Sequence, residues 1–112
     1  MGPVPREVGG IPVLWFTPID SRHRPTGRCR HISPSGLLGP AAGLLICGYE
    51  ESSVYLHSCD ESWVPFTDTW HESIEEAKRQ AEFEYAGSLA TWQRRAEPGA
   101  ADVTSNVKRR LP

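Results

Sequence analysis

Thr69-Trp70-His71-Glu72-Ser73-Ile74-Glu75-Glu76-Ala77-Lys78-Arg79-Gln80-Ala81-Glu82-Phe83-Glu84-Tyr85-Ala86 is the stretch whose reading decides the fold. Ser73 followed three residues later by Glu76 is a capping-box pair. The hydroxyl can accept from the Glu76 amide while the carboxylate reaches back toward the start of the helix. Ile74, Ala77, Ala81 and Tyr85 then recur at spacings of three and four, which puts them on one stripe of an α-helix. Glu75 and Arg79, acid first and four apart, support the wet side. Gly87 is a natural stop. One amphipathic helix of three to four turns is expected, its narrow apolar face laid on another layer.

Upstream, the pattern turns from helical to extended. Leu44-Leu45-Ile46-Cys47-Gly48-Tyr49 is apolar without alternation and reads as a strand covered on both faces. Glu50-Glu51-Ser52-Ser53 is a polar connection. Val54-Tyr55-Leu56-His57-Ser58-Cys59 alternates and reads as the return strand, Val54 and Leu56 facing one way and Tyr55, His57 and Cys59 the other. After Asp60-Glu61-Ser62, a third strand runs from Trp63 to Trp70. Its expected inner face is Val64, Phe66 and Trp70, with Asp68 out of pattern, and Pro65 implies that the strand is an edge or begins after it. Trp70, Ile74 and Tyr85 are accordingly expected in the core. Ile11-Pro12-Val13-Leu14-Trp15-Phe16-Thr17 is a further strand, at an edge if Pro12 lies within it.

The expected architecture is α+β: a small antiparallel sheet, a β-meander of three to four strands, with one helix packed across one face. With 112 residues there is room for one domain. It is placed at residues 11–92, after a flexible segment 1–10 and before a disordered basic tail 93–112. Residues 18–42 form a long loop rich in Pro, Gly and Arg.

Net charge is −2, but its distribution is uneven. Residues 1–40 carry five basic and two acidic groups, residues 41–92 two and ten, and residues 93–112 five and two. An acidic body thus lies between basic flanks, which favours a basic partner over a polyanion. Three cysteines spaced 18 and 12 apart make a poor disulfide framework. With no apolar run of membrane-spanning length and no signal-peptide core, a cytoplasmic location without membrane association is expected.

Four kinds of site can be drawn from these residues. Cys29, His31, His57 and Cys59 form two i,i+2 pairs that could close a tetrahedral metal site, although the spacing matches no standard zinc motif. Cys47, Cys59, His57, His71 and Asp68 could supply a nucleophile, base and orienter, but no catalytic motif fixes their relation, so no catalytic residue and no cofactor is assigned. Arg22, Arg24, Arg28 and Arg30, with the basic tail, could engage phosphates, the alternative reading being a nucleic-acid-associated regulator. Phe83 lies opposite the packed stripe, among Glu75, Glu76 and Arg79, as an interface anchor with a polar rim would. Leu89 and Trp92 could instead fold back over it.

The run from Asp68 through Ala77, then Gln80 to Tyr85 and Thr91-Trp92, resembles the C-terminal part of small uncharacterised bacterial proteins in which a β-meander runs into one helix. The resemblance covers residues 43–93 and implies a fold, with no catalytic residue to carry over. Small acidic proteins of this build also look like the immunity partners of bacterial toxins. The expected function is a non-enzymatic protein-binding module, an inhibitor or immunity-type partner of a basic protein.

Overall fold

The computed structural model describes residues 1–26, 32–33, 36–37 and 40–95. The strands are β1 (Glu7–Val8), β2 (Ile11–Pro18), β3 (Arg24–Pro25), β4 (Ile32–Ser33), β5 (Gly36–Leu37), β6 (Gly43–Gly48), β7 (Val54–Cys59) and β8 (Pro65–His71). The helix α1 (Ile74–Glu84), β9 (Tyr85–Ala86), a 3₁₀ turn at Ser88–Ala90 and β10 (Gln93–Arg94) follow. The main sheet is antiparallel and has six strands, in the order β1-β2-β6-β7-β8, with β10 beside β2, and it curls into a half-barrel. It is wider than the three to four strands expected. Two of the extra strands, β1 and β10, are two-residue pieces with no periodicity of their own.

The helix expectation is met at its start and along its stripe, but the helix ends at Glu84, and Tyr85–Ala86 is extended before Gly87 is reached. Ser73 is the N-cap and its hydroxyl accepts from the Glu76 N–H at 3.1 Å. The Glu76 carboxylate reaches back one residue further than a standard box, accepting from the Glu72 N–H at 2.7 Å. Ala77, Ala81 and Tyr85 are buried and Ile74 is half-buried. Small residues on this stripe let the helix lie close on the sheet. They pack with Leu14, Leu44, Ile46, Val54 and Leu56 to form the main core, and the Tyr85 hydroxyl accepts from the Ala41 N–H at 2.8 Å.

A second cluster fills part of the opposite face: Val13, Leu45, Cys47, Cys59 and Trp63, with Val4, Val8, Ile11 and Phe16 packed against them. That is why β6 reads as continuously apolar, since both of its faces are covered. The N-terminal segment, read as loose, supplies much of this second layer. Glu7–Val8 pairs with Ile11–Pro12, and the Trp63 indole N–H donates to the Gly2 carbonyl at 3.0 Å.

Two β-bulges change which side chains go where. In β2, Val13 pairs with Cys47 but Trp15 with Ile46, so Leu14 is the extra residue and both Leu14 and Trp15 face the helix. In β8, Ser58 pairs with Thr67 but Cys59 with Pro65. Phe66 is the extra residue, and it packs into the helix-side core. The strand then continues in the opposite phase from the one expected. Trp70 is not core: it lies opposite Tyr55 on the outer face and is 55% exposed. Asp68, on the same face, is no exception to the pattern.

β2 is not an edge strand, although Pro12 lies within it. Pro12 pairs with Glu7, and the β6 ladder begins only at Val13, so the missing N–H is not needed there. β8 is an edge, as Pro65 suggested. The loop region holds β3, paired with β9, and the β4–β5 hairpin. The tail contributes β10, with Gln93 opposite Phe16 and Arg94 opposite Trp15, while residues 96–112 lie outside the described residues.

After the helix the chain is tied down tightly. The Glu82 carboxylate accepts from the Gly87 and Leu89 N–H groups at 3.0 and 2.9 Å, which holds its pKa below the usual carboxylate value. His23 is buried beneath this segment. Its Nδ1 accepts from the Asp20 N–H at 3.0 Å, so Nε2 carries the proton and donates to Thr91 Oγ1 at 2.8 Å. Thr91 in turn shares a 2.7 Å hydrogen bond with the buried Thr17 of β2.

Candidate functional site

The helix surface and the outer sheet face each carry exposed aromatic residues, on opposite sides of the domain. On the helix, Phe83 is 44% exposed, Glu75 and Arg79 are exposed and Glu76 is half-buried. Glu76 is engaged in capping and sits 3.6 Å from His71 Nδ1. Leu89 does not cover Phe83, being 55% exposed itself, and Trp92 packs instead against the main core. Arg79 lies one turn before Phe83, whereas Glu75 and Glu76 lie about two turns away. The four residues share a helix but form no tight cluster.

The other surface was hidden by the β8 bulge. Cross-strand pairing puts Tyr55 opposite Trp70 and His57 opposite Asp68, all on the face away from the helix. The Tyr55 and His57 rings are 6.4 Å apart, tilted by 32°. Desolvation lowers the His57 pKa, against a smaller opposing effect of Asp68, so the imidazole is neutral at physiological pH. Tyr49, exposed, stands in the β6–β7 turn at the same end of the sheet as Tyr55 and Trp70. Glu50 and Glu51 of that turn and Glu72 to Glu75 border a cleft of about 350 Å³ at the start of the helix. Glu50 is paired with Arg94 of β10.

Carboxylates run along this part of the chain, with Glu50, Glu51 and Glu72 at this end of the sheet and Asp60 and Glu61 in the turn at the other. From Gly43 to Glu72 the chain has no Lys or Arg and six acidic residues: Glu50, Glu51, Asp60, Glu61, Asp68 and Glu72. The nearest cation on α1, Lys78, lies over the Trp15 ring at 3.6 Å, on the helix side of the sheet.

The remaining sequence candidates are scattered. Cys29, His31, Arg28 and Arg30 lie outside the described residues. His57 is partly exposed on the outer face, whereas Cys59 is fully buried beneath it in the second core cluster. Among the described residues no group of three or more His, Cys, Asp or Glu could hold a metal ion. His71 faces the helix side, bonded to Thr69 Oγ1 at 2.7 Å, on the opposite face from His57 and Asp68. His71 is thus set apart, while Cys47 and Cys59, both fully buried, share the outer face with the His57–Asp68 cross-strand pair. Arg22 is held by Asp20 through two side-chain bonds of 3.0 and 2.9 Å, and these hold the Asp20 carboxyl at about 2. Of the four arginines offered for phosphate binding, Arg24 alone is described as exposed without such a chelate.

Burial pushes the thiols of Cys47 and Cys59 up to about 12 from 9.0, so both remain protonated and unreactive near neutrality. A raised folded-state pKa contributes stability that is fully present below the unfolded value and is lost as pH rises toward the folded one. Stability should therefore fall between pH 9 and 12, by roughly 1 kcal/mol per thiol for each pH unit. Denaturant midpoints at pH 8 and pH 10 check this. A Cys47→Ala, Cys59→Ala variant should lose most of the pH dependence, and a slope unchanged from the parent would refute the assignment.

Comparison of the chain with protein-family models, with curated proteins and with solved structures finds no match. Among the described residues no helix is long and apolar enough to cross a membrane.

Proposed function

We infer that the chain is a protein-binding module that contacts a basic partner through the outer sheet face around Tyr55 and Trp70. The observation that supports it most is the exposed Tyr55–Trp70 pair on a rigid sheet. Large rings held in place by a ladder lose little conformational entropy on binding, and Trp and Tyr are the residues most enriched at energetic centres of interfaces. The six carboxylates along Gly43–Glu72, a stretch without Lys or Arg, supply the field that steers a basic protein onto that face, although Glu50 is offset by Arg94 of β10. An inhibitor or immunity-type protein is a binder of this kind. Phe83, with Glu75, Glu76 and Arg79, is a second surface on the other side of the domain.

Capture from native lysate with Trp70→Ala and Phe83→Ala variants, followed by identification of what is retained, tests the assignment. Both side chains are about half exposed, so both variants should stay folded. Trp70→Ala should lose the partner by at least about tenfold, and Phe83→Ala should retain it. Loss on Phe83→Ala alone would move the interface to the helix. A partner that is acidic, or retained equally by both variants, would overturn the reading.

A further inference from the structure

The face around Trp70 ends at an open edge. β8 has β7 on one side, and among the described residues no strand pairs with the other side. An edge strand presents a row of backbone N–H and C=O groups to any extended chain, and proteins commonly guard such edges with lysines, prolines or bulges. In β8 the proline and the bulge sit together at the start, at Pro65 and Phe66. From Thr67 to His71 the strand pairs regularly with β7, contains two threonines and a tryptophan that favour extended backbone, and has no Lys or Arg. Its one charged side chain, Asp68, is exposed on the outer face between Tyr55–Trp70 and the β7–β8 turn, which adds Asp60 and Glu61.

We propose that β8 adds an extended, basic segment of the partner protein as a seventh strand of the main sheet. This rests on the protein-binding reading above and names the form the partner takes. In such a pairing the guest's backbone supplies affinity, and alternate guest side chains fall on the outer face beside Asp68 and Trp70. A lysine or arginine beside Asp68 forms an ion pair, and one beside Trp70 can lie over the indole face. Charge is what selects this occupant over a second copy of the chain. Two β8 strands paired edge to edge would bring two Asp68 carboxylates and their acidic surroundings into one new sheet, which is unfavourable.

The test uses the full chain, isotopically labelled, and three short peptides of about nine residues. One alternates lysine with valine, one replaces lysine by glutamate, and one is the lysine peptide N-methylated at alternate residues so that it keeps its charge but cannot form the ladder. With the lysine peptide, exchange of those Thr67–Trp70 amides that point away from β7 should slow at least about tenfold, and affinity should drop at least about tenfold for the N-methylated and glutamate peptides. Asp68→Lys, on an exposed side chain, should weaken the lysine peptide similarly while leaving the spectrum of the folded domain intact. Equal binding of the N-methylated peptide would overturn strand addition. So would outward-pointing β8 amides that are already protected without peptide, a second copy being the occupant if that protection grows with protein concentration and the chain itself if it does not. Shifts at Tyr55 and Trp70 without protection of β8 would overturn the edge proposal and leave the face as the interface. No response to any peptide would overturn the proposal here, while Trp70-dependent capture from lysate decides the face separately.

Discussion

Ile46→Ala is expected to cost about 3–5 kcal/mol, the upper part of the range for removing a large aliphatic side chain from a core. Ile46 is completely buried in the middle of β6, paired with Trp15 of β2 on one side and Leu56 of β7 on the other. It faces the helix across Ala77 and Ala81. The site has little freedom to collapse. Its flanking strands are fixed by ladders on both sides, and the helix already sits close on its two alanines, so the cavity would remain largely open. A domain of this size has on the order of 5–15 kcal/mol in total, so the variant should be near the limit of folding. Urea unfolding of parent and variant measures the loss, with Leu89→Ala, on an exposed side chain, expected within about 0.5 kcal/mol of the parent. A loss below about 1 kcal/mol for Ile46→Ala would mean that the helix does not close over this face as described.

How much of this arrangement was legible follows from which signals are local. The helix was readable because its cap and its stripe lie within one stretch and agree; its end, at Glu84, was not, because Tyr85–Ala86 turn extended to pair with β3 before Gly87 is reached. The β6–β7 hairpin was likewise readable within one stretch, and the run of apolar residues in β6 correctly implied cover on both sides. What supplied the second cover was not readable. Val4, Val8 and Ile11 pack on the outer face only because the Glu7–Val8 hairpin folds them there, and a two-residue strand leaves no periodic trace. β10 is similar, since Gln93 and Arg94 become a strand through β2 and not through their own propensity.

The site was harder still. A period of two predicts faces only while the register is continuous, and one extra residue exchanges them. The bulge at Phe66 carried Trp70 from the expected core to the surface, opposite the exposed Tyr55. Asp68 held the clue. Taken as an exception, it concealed the shift; taken as evidence of phase, it would have placed Trp70 outside. The edge position of β8 was legible from Pro65, because a missing N–H is a property of one residue. The acidity of the body was legible from counting, but its concentration along Gly43–Glu72, without any cation, acquires meaning only once those residues form adjacent strands.

The joint after the helix gives the second large effect. Gly87→Ala is expected to cost about 2–4 kcal/mol, combining backbone strain with a collision. Gly87 has φ +103°, a conformation that L side chains rarely adopt, and a Cβ built there would lie 2.6 Å from the Arg22 carbonyl oxygen. That oxygen belongs to backbone and cannot swing away as a side chain would. Its segment is fixed by the β3–β9 pairing and by the His23–Thr91–Thr17 chain of hydrogen bonds. Moving Gly87 instead would pull its N–H off the Glu82 carboxylate. Gly10 separates the two contributions, since it has φ +85° but open space where a Cβ would go. Gly10→Ala should therefore cost about 1 kcal/mol from φ alone, and the excess at Gly87 measures the close approach to Arg22. Equal losses at the two positions in thermal or urea unfolding would show that the loop yields freely, and that the segment around His23 is not the clamp its hydrogen bonds describe.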